Sequence, residues 1–258
     1  MLKKRIIPKL LLKNSKNNIP CLVNSFKFEK YKIIGSPTSQ AKIFEAQLAD
    51  QLILLNIDSL DLKLDNPLIT LLKEFSHKIF MPLIFGGGIK NLRSIEILLK
   101  NGADKISLNT SAVLNSSFIK HSSRVFGSQC IVISIDYKYN GSFNEVFIKG
   151  GKQSTGLNLF DWAEKVQELG AGEIVLCDIN RDGTSKGLDI KAIKEVTKII
   201  NIPVIASGGC GLAEHFVDCF KKTGAQGISA GNFFSNKDQN IFQTRSQIIN
   251  SGIPLRKI

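Results

Sequence analysis

Two stretches of this sequence, Met81-Pro82-Leu83-Ile84-Phe85-Gly86-Gly87-Gly88 and Ile202-Pro203-Val204-Ile205-Ala206-Ser207-Gly208-Gly209, share one pattern at an offset of 121 positions. In each, a proline precedes a short apolar run and glycines follow it. The pattern is typical of a strand that is buried on both faces of a parallel sheet and turns into a helix. Residues 49–58 and 171–180 repeat in the same way at an offset of 122. We therefore interpret the chain as two copies of one half-barrel.

Short apolar runs alternate with amphipathic segments along the whole chain. The predicted strands are 5–12, 52–57, 82–85, 105–108, 130–135, 173–177, 203–206 and 227–230. Segments with helical spacing of apolar residues are 91–101, 160–169, 190–200 and 214–222. Eight such units predict an α/β fold, a (β/α)8 barrel, as one domain over residues 1–258 with halves of about 1–126 and 127–258. An open doubly wound sheet is the alternative, but the first strand lacks a following G-x-G-x-x-G motif.

Composition narrows the class of protein. With 258 residues, 43% hydrophobic and 22% charged, the chain fits a globular protein. Its five cysteines form no C-x-x-C pair and no zinc-type spacing with the three histidines, so we expect reduced thiols, a cytoplasmic location, no metal and no cofactor. The apolar stretch near the N-terminus is too short for a signal peptide or a membrane span.

The net charge of +12 has two interpretations. One is a lysine-rich solvated surface, and the other is attraction to an anionic ligand. The basic residues are spread along the chain without interleaved aromatics or a nucleic-acid motif, so we expect no nucleic acid as a partner.

Glycine turns after strands 3 and 7 are candidate phosphate sites. Backbone N–H groups at such turns can approach an anion closely. The residues after strands 4 and 8 would form the second wall of each site, and the duplicated placement suggests a ligand with a phosphate at each end. The predicted phosphate-binding residues are Gly87, Gly88, Asn109, Thr110, Gly208, Gly209, Gly231 and Asn232.

Asp136 is the candidate catalytic group, because it ends the fifth apolar run and would point into the barrel mouth. Partial desolvation there can raise the pKa of a carboxyl to a value useful for acid–base catalysis. The turn after strand 6 adds Asp182 and Thr184, and Ser207 opens the turn after strand 7, as further residues of a substrate site. An Asp-Gly bend stabilised by its own side chain is the structural alternative for that turn.

Residues 13–37 form the longest stretch without a clear element. We interpret them as a mobile lid over the active face. A surface hairpin at 20–28 is the alternative.

The repeat also shows an absence, since the position equivalent to Asp136 in the first half is Leu11. A leucine can neither donate nor accept a proton. A barrel that used one acid and one base would need a carboxylate there.

These motifs together resemble the cyclase subunit of imidazole glycerol phosphate synthase over nearly the whole chain. The matching stretches include Arg5-Ile6-Ile7-Pro8, Gly86-Gly87-Gly88-Ile89, Phe126-Gly127-Ser128-Gln129 and Arg181-Asp182-Gly183-Thr184. The resemblance implies a (β/α)8 barrel that receives ammonia from a glutaminase subunit at its N-terminal face. At its C-terminal face a bisphosphate ribonucleotide is converted to imidazole glycerol phosphate and an aminoimidazole carboxamide ribotide, a carbon–nitrogen lyase reaction.

The resemblance also assigns roles to single residues. Two aspartates do the acid–base work in the family; Asp136 matches one, and Leu11 stands in place of the other. Asn24 is the best match to a lysine of the family's flexible first loop, and Asn56 stands where an aspartate is usual. The ammonia gate and partner-docking residues would be Arg5, Gln51, Asp104, Lys105 and Glu173, with Gln51 replacing an acid.

Because leucine replaces the first aspartate of the family, three functional hypotheses are open. A branch of the family, the glycosyl amidation proteins, carries the same leucine, and we favour an ammonia-delivering subunit for a surface-polysaccharide sugar, working with a glutaminase and possibly a third, amidotransferase subunit. The alternative is the cyclase of histidine biosynthesis. A non-catalytic scaffold with vestigial anion sites is the third hypothesis. No membrane partner is expected under any of them.

Overall fold

A computed structural model describes residues 3–15, 17, 19–58, 66–236 and 240–256, without the side chain of Asn236. The strands are β1 (Arg5–Asn14), β2 (Pro20–Phe26), β3 (Lys30–Gly35), β4 (Leu52–Asn56), β5 (Leu83–Gly86), β6 (Lys105–Leu108), β7 (Ile131–Tyr139), β8 (Asn144–Ile148), β9 (Gln153–Asn158), β10 (Glu173–Asp178), β11 (Val204–Ser207) and β12 (Gly227–Ala230). The α-helices are α1 (Pro37–Ala46), α2 (Pro67–Lys78), α3 (Leu92–Lys100), α4 (Thr110–Leu114), α5 (Ser117–Phe126), α6 (Leu159–Glu168), α7 (Ile190–Ile199), α8 (Ala213–Lys222), α9 (Asn232–Asn236) and α10 (Ile241–Asn250).

Eight strands close into a parallel barrel, in the order β1, β4, β5, β6, β7, β10, β11 and β12. Each pairs in parallel with its neighbours, and β12 closes the ring by pairing Arg5 with Gly227 and Pro8 with Ala230. All eight predicted strands are present at their predicted places. The predicted (β/α)8 barrel is therefore confirmed.

The barrel strands have two buried faces, which explains their continuous apolar runs. One face packs on the helices as part of the large core. The other face forms a separate apolar layer inside the barrel, made of Ile7, Ile53, Ile84, Val132, Val175 and Ile205. On the amino-terminal side of this layer, at the lower end of the barrel, lie the charged residues Arg5, Lys105 and Glu173. On the carboxyl-terminal side, at the mouth, polar residues such as Lys9 and Ser207 lie beside the apolar Leu11.

Local sequence signals set the helix boundaries. Pro67 opens α2, and the side chain of Asn66 accepts a hydrogen bond from the N–H of Leu68. Asn91 caps α3 through the N–H of Ser94, as Asp189 caps α7 through the N–H of Ala192. The four predicted helices correspond to α3, α6, α7 and α8. No helix in the described ranges is long and apolar enough to cross a membrane.

Two antiparallel hairpins extend the barrel at its mouth. Strand β2 pairs with β1 from Leu11↔Val23 onward, and β8 pairs with β7 from Asp136↔Phe147 onward. The hairpins are therefore at equivalent places in the two halves. Residues 20–35 form a hairpin, which is longer than the hairpin at 20–28 that we considered as an alternative to a mobile lid. The β8–β9 hairpin was not predicted.

Candidate functional site

The two glycine turns lie at the carboxyl ends of the barrel strands, where the backbone leaves no room for side chains. Gly87 has φ +103°, and a Cβ atom there would lie 1.8 Å from the carbonyl oxygen of Asn56. Gly208 has φ +89°, and its Cβ would lie 2.6 Å from the carbonyl oxygen of Asp178. The turn after β5 thus packs against the end of β4, and the turn after β11 packs against the end of β10. Such close backbone contact requires glycine.

The turn after β11 opens onto a pocket that gathers most of the predicted residues of the second half. Its lining includes Asp182, Ser207, Gly208, Gly209, Gly231 and Asn232, together with Lys9, Leu11 and residues of β2. Thr184 is not among the lining residues, and its hydroxyl donates to the carbonyl of Arg181 at 2.7 Å. The pocket therefore places one glycine turn, one carboxylate and one ammonium side by side.

Asn109, which follows β6, contacts the catalytic candidate. The Asn109 amide Nδ2 donates to Oδ2 of Asp136 at 2.9 Å. Thr110 begins α4, and its hydroxyl accepts a hydrogen bond from the N–H of Lys149 at 3.0 Å. Asn109 therefore links the predicted phosphate wall of the first half to the carboxylate of the second half.

Asp136 has the electrostatic properties expected of an acid–base group. Burial raises the pKa of Asp136 to about 7, against the opposing influence of the Lys9 ammonium, and the Asp182 carboxylate contributes further to the rise. A carboxyl with this pKa exchanges a proton readily near neutral pH. Leu11 begins pairing with its hairpin at the equivalent point of β1, but it brings no titratable group.

Lys9 is the functional candidate that sequence reasoning missed. Its side chain is only 7% exposed, and its Nζ lies 3.0 Å from Oγ of Ser207 and 3.6 Å from Oδ1 of Asp182. Burial lowers the pKa of Lys9, but the charges of Cys177, Asp182 and Asp136 outweigh it, and the net pKa is raised. A charged residue at an inward position of an apolar strand was the available signal.

The first hairpin is fastened to the second half of the barrel. The Ser25 hydroxyl donates to Oδ2 of Asp182, and the N–H of Lys27 donates to the Asp182 carbonyl at 3.0 Å. Asn232 Nδ2 donates to the Ser25 carbonyl at 2.8 Å. Asp182 and Asn232 therefore hold the hairpin over the pocket, so the predicted position of residues 13–37 over the mouth agrees with the structure where it describes them.

The predicted gate residues meet at the opposite end of the barrel. Arg5 forms an ion pair with Oε1 of Glu173, and Lys105 Nζ lies 2.8 Å from Oε2 of the same carboxylate. Arg5 also donates to Oε1 of Gln51 at 2.9 Å. Asp104 is exposed beside them and accepts a hydrogen bond from the N–H of Leu83 at 2.8 Å. Four of the five predicted residues thus form one hydrogen-bonded cluster.

Among the described residues, no group of three or more His, Cys, Asp or Glu side chains is arranged to hold a metal ion. The described part of the mouth therefore offers carboxylates, the buried ammonium of Lys9 and backbone N–H groups. These groups can bind anions and move protons.

The fold and these two ends define a class of (β/α)8 barrel with closely packed glycine turns at one face and a charged cluster at the other. A model of a family described as histidine biosynthesis protein matches residues 5–239. The chain belongs to this family.

Similar proteins cover the chain from end to end. A protein of Prochlorococcus marinus (strain MIT 9313), named as subunit hisF2 of imidazole glycerol phosphate synthase, is 44% identical over 99% of both chains. The imidazole glycerol phosphate synthase subunit HisF of Staphylococcus saprophyticus is 41% identical over 99% of this chain and 100% of its own. That of Lactococcus lactis (strain MG1363) is 38% identical over 100% and 98%. The resemblance found in the sequence is thereby confirmed.

These relatives change the balance between the functional hypotheses. Their names support the alternative, a HisF-type cyclase subunit, better than the favoured hypothesis of polysaccharide amidation. The leucine at position 11 therefore does not place the chain outside the HisF-type subunits.

Proposed function

We propose that this chain is the barrel subunit of an imidazole glycerol phosphate synthase, which adds ammonia from a glutaminase partner to a bisphosphate ribonucleotide. The observation that carries the proposal is Asp136, a buried carboxyl with a pKa of about 7 that accepts a hydrogen bond from Asn109 at the mouth of the barrel. One turn would hold each phosphate. The reacting part of the ligand would then lie over Asp136.

In this arrangement the backbone N–H groups of the turns bind and orient the ligand, while Asp136 moves protons during ring closure and product release. A positioned acid–base group contributes typically 10²–10⁴-fold to a rate. Because Leu11 supplies no second carboxylate, Asp136 works alone. The same fold is therefore expected to act more slowly than one with two aspartates.

The opposite end of the barrel suits an ammonia donor. Neutral ammonia crosses an apolar layer at far lower cost than an ion, and the layer of isoleucines and valines separates the Arg5–Glu173–Lys105 cluster from the mouth. Beside Asp104 runs a partly apolar groove, where Phe80 is 84% exposed. This face has the apolar and charged groups with which a glutaminase subunit could dock.

The direct experiment supplies the purified chain with the bisphosphate ribonucleotide and an excess of ammonium salt. We expect slow formation of imidazole glycerol phosphate, at least about 10²-fold below a typical enzyme rate of roughly 10 s⁻¹. Consumption of the ribonucleotide would be followed by absorbance and product identity by mass spectrometry. If no product forms at any of the pH values tested between 6 and 9, the proposal is contradicted.

A second arm replaces ammonium with glutamine and a HisF-partner glutaminase. Product should again form, and charge reversal by Asp104→Lys should weaken binding or stimulation of the glutaminase. Asp161→Lys, on the exposed start of α6, is the matched control. Equal behaviour of the two variants would exclude Asp104 from docking.

A further inference from the structure

Lys9 is a buried cation that the proposed acid–base chemistry does not use. It lies in β1, between inward-facing Ile7 and Leu11, and its side chain is 7% exposed. Burying an ammonium is costly unless hydrogen bonds and opposite charge compensate it. The surroundings of Nζ therefore show what this lysine can do.

Three groups surround the Lys9 ammonium, but among the described residues none of them is an anion within 3.5 Å of it. An ammonium has three N–H donors, and Ser207 Oγ accepts one of them at 3.0 Å. The Asp182 carboxylate lies at 3.6 Å, within ion-pair range but beyond a normal hydrogen bond. Lys9 also donates to Cys177 Sγ at 3.8 Å, a weak acceptor. Burial raises the pKa of this thiol to about 12, so its charge acts on Lys9 only at high pH and is absent at neutral pH.

The position of Lys9 joins it to one of the two glycine turns. Lys9 and the turn residues Gly208 and Gly209 line the same pocket, and Ser207, which accepts from Lys9, is the residue that opens the turn. The carbonyl of Lys9 also lies 3.1 Å from where a Cβ of Gly231 would be, so the second wall of the pocket packs on the same residue.

The other half of the barrel has no such cation at the matching place. The repeat that aligns Leu11 with Asp136 aligns Lys9 with Ser134. The turn at Gly208–Gly209 therefore shares its pocket with a buried ammonium that the repeat does not supply to the turn at Gly87–Gly88.

We propose that Lys9 is an anion-binding residue of the second turn: its ammonium binds a phosphate held at Gly208–Gly209 and Gly231–Asn232. The inference rests on the phosphorylated ligand proposed above and assigns one of its two phosphate sites a side-chain cation. A phosphate offers three acceptor oxygens and up to two charges. It therefore offers Lys9 charged acceptors at hydrogen-bond distance, which neutral Ser207, the weak acceptor Cys177 and the more distant Asp182 do not.

Inorganic phosphate is the probe, and equilibrium dialysis with the full chain measures its affinity. Lys9→Met removes the charge and keeps the side-chain length, and we expect affinity at one site to fall about 10- to 100-fold. Crystals soaked in phosphate should then show the anion at Gly87–Gly88 but not at Gly208–Gly209. Lys198→Met on α7, which changes the net charge equally, should leave both sites unchanged.

Asp182→Asn tests the same inference, but here phosphate affinity is expected to rise rather than fall. Removing the competing carboxylate should free Lys9 and strengthen phosphate binding at the second turn several-fold; unchanged or weaker binding would count against the inference.

The double variant Lys9→Met/Asp182→Asn separates binding from structure. It removes both charges of the pair. Unlike Lys9→Met alone, it therefore leaves no uncompensated Asp182 carboxylate in the pocket, but it still lacks the cation. Weak phosphate binding by the double variant supports a direct contact with Lys9. Affinity equal to that of the unmodified protein would show that Lys9 acts only by neutralising Asp182, and it would overturn the inference.

The outcomes also separate this inference from the proposed function. If neither turn of the unmodified protein binds phosphate, both the function and the role of Lys9 fail. If both turns bind phosphate and Lys9→Met binds as tightly as the unmodified protein, only the role of Lys9 fails.

Discussion

The two halves of the barrel share a backbone plan but differ in charge at both ends. At the mouth, the first half has Leu11 where the second has Asp136. At the lower end, the first half has Gln51 where the second has Glu173. Asn56 and Asp178, whose carbonyls pack against the two glycine turns, differ in the same direction.

The difference shows which properties of a duplicated barrel are fixed by the backbone and which can change. Strand register, hairpin position and the tightly packed glycine turns are kept in both halves. At the paired positions compared above, the carboxylates Asp136, Glu173 and Asp178 are found only in the second half, while Lys9, a buried ammonium at the mouth, belongs to the first half. Under the proposed function, the second half would therefore provide the proton-transfer group, and the first half would provide a buried positive charge.

Asp136→Asn is the variant with the largest expected effect, because it removes the proposed proton-transfer group of the second half. The change keeps the size of the side chain and removes its titration, so turnover of the bisphosphate ribonucleotide should fall about 10²–10⁴-fold. Steady-state assays with saturating ammonium measure the effect. Asp161→Asn on the exposed start of α6 is the control, and a comparable rate for both variants would contradict the role of Asp136.

The same carboxyl makes stability depend on pH. The folded-state pKa of Asp136 is about 7, whereas an unfolded chain has a value near 4. The folded state therefore binds more protons between these values, so the free energy of unfolding should fall as pH rises from about 4 to about 7, by at most about 4 kcal/mol. Urea unfolding at several pH values measures this. Asp136→Asn should remove the decline, and a decline that persists in that variant must come from other groups.

Substitutions at the paired glycines compare the packing of the two turns. A Cβ at Gly87 would come closer to backbone than one at Gly208, 1.8 Å against 2.6 Å. Gly87→Ala should therefore cost about 3 kcal/mol or more of unfolding free energy, and Gly208→Ala about 2 kcal/mol. Gly141→Ala is the control, because φ is +101° there and nothing lies within 4 Å of the added atom. Its cost should be about 1 kcal/mol, and equal losses for all three would mean that backbone conformation alone sets the effect.

Leu11→Asp would make the halves alike at the mouth. A second carboxylate opposite Asp136 should raise turnover about 10- to 100-fold if the new group reaches the ligand. Leu11→Asn is the matched variant, since it adds polarity without a group that titrates near neutral pH. A similar gain in both would assign the effect to polarity rather than proton transfer.

The charged cluster at the lower end gives the smallest expected contrast. Glu173→Gln leaves Arg5 and Lys105 without their shared carboxylate, which should cost about 1–2 kcal/mol of unfolding free energy, because partial exposure of the two cations reduces the penalty. Gln51→Glu adds an acid beside Arg5 and should change stability by less than about 1 kcal/mol. Thermal unfolding of the two variants and of the unmodified protein, each at low and at high salt, measures these two changes in stability. A larger effect at Gln51 would show that the first half controls this end.

The sequence predicted the barrel because its signals are local and repeated. Each strand is a continuous apolar run, and the glycines at 87 and 208 sit where positive φ and close backbone contact require them. The clustering of Arg5, Lys105 and Glu173 also followed from strand starts that share one end of a barrel.

What the sequence did not predict depends on contacts between distant residues. The β8–β9 hairpin has only five residues in its first strand, too few for a clear alternation. The role of Lys9 depends on strand tilt and closure, which bring β1 against the turn after β11. The closure of the first hairpin depends on Asp182 and Asn232, which lie more than 150 positions away from Ser25.

The clamped hairpin has a consequence for the rate at which a ligand can enter. With Ser25 and Lys27 bonded to Asp182, the pocket beneath encloses about 20 Å³, room for roughly one water molecule. A phosphate is larger, so entry requires the hairpin to lift first, and lifting is a unimolecular event. In stopped-flow mixing, the observed binding rate at this pocket should therefore reach a plateau as phosphate concentration rises, and Ser25→Ala should raise the plateau.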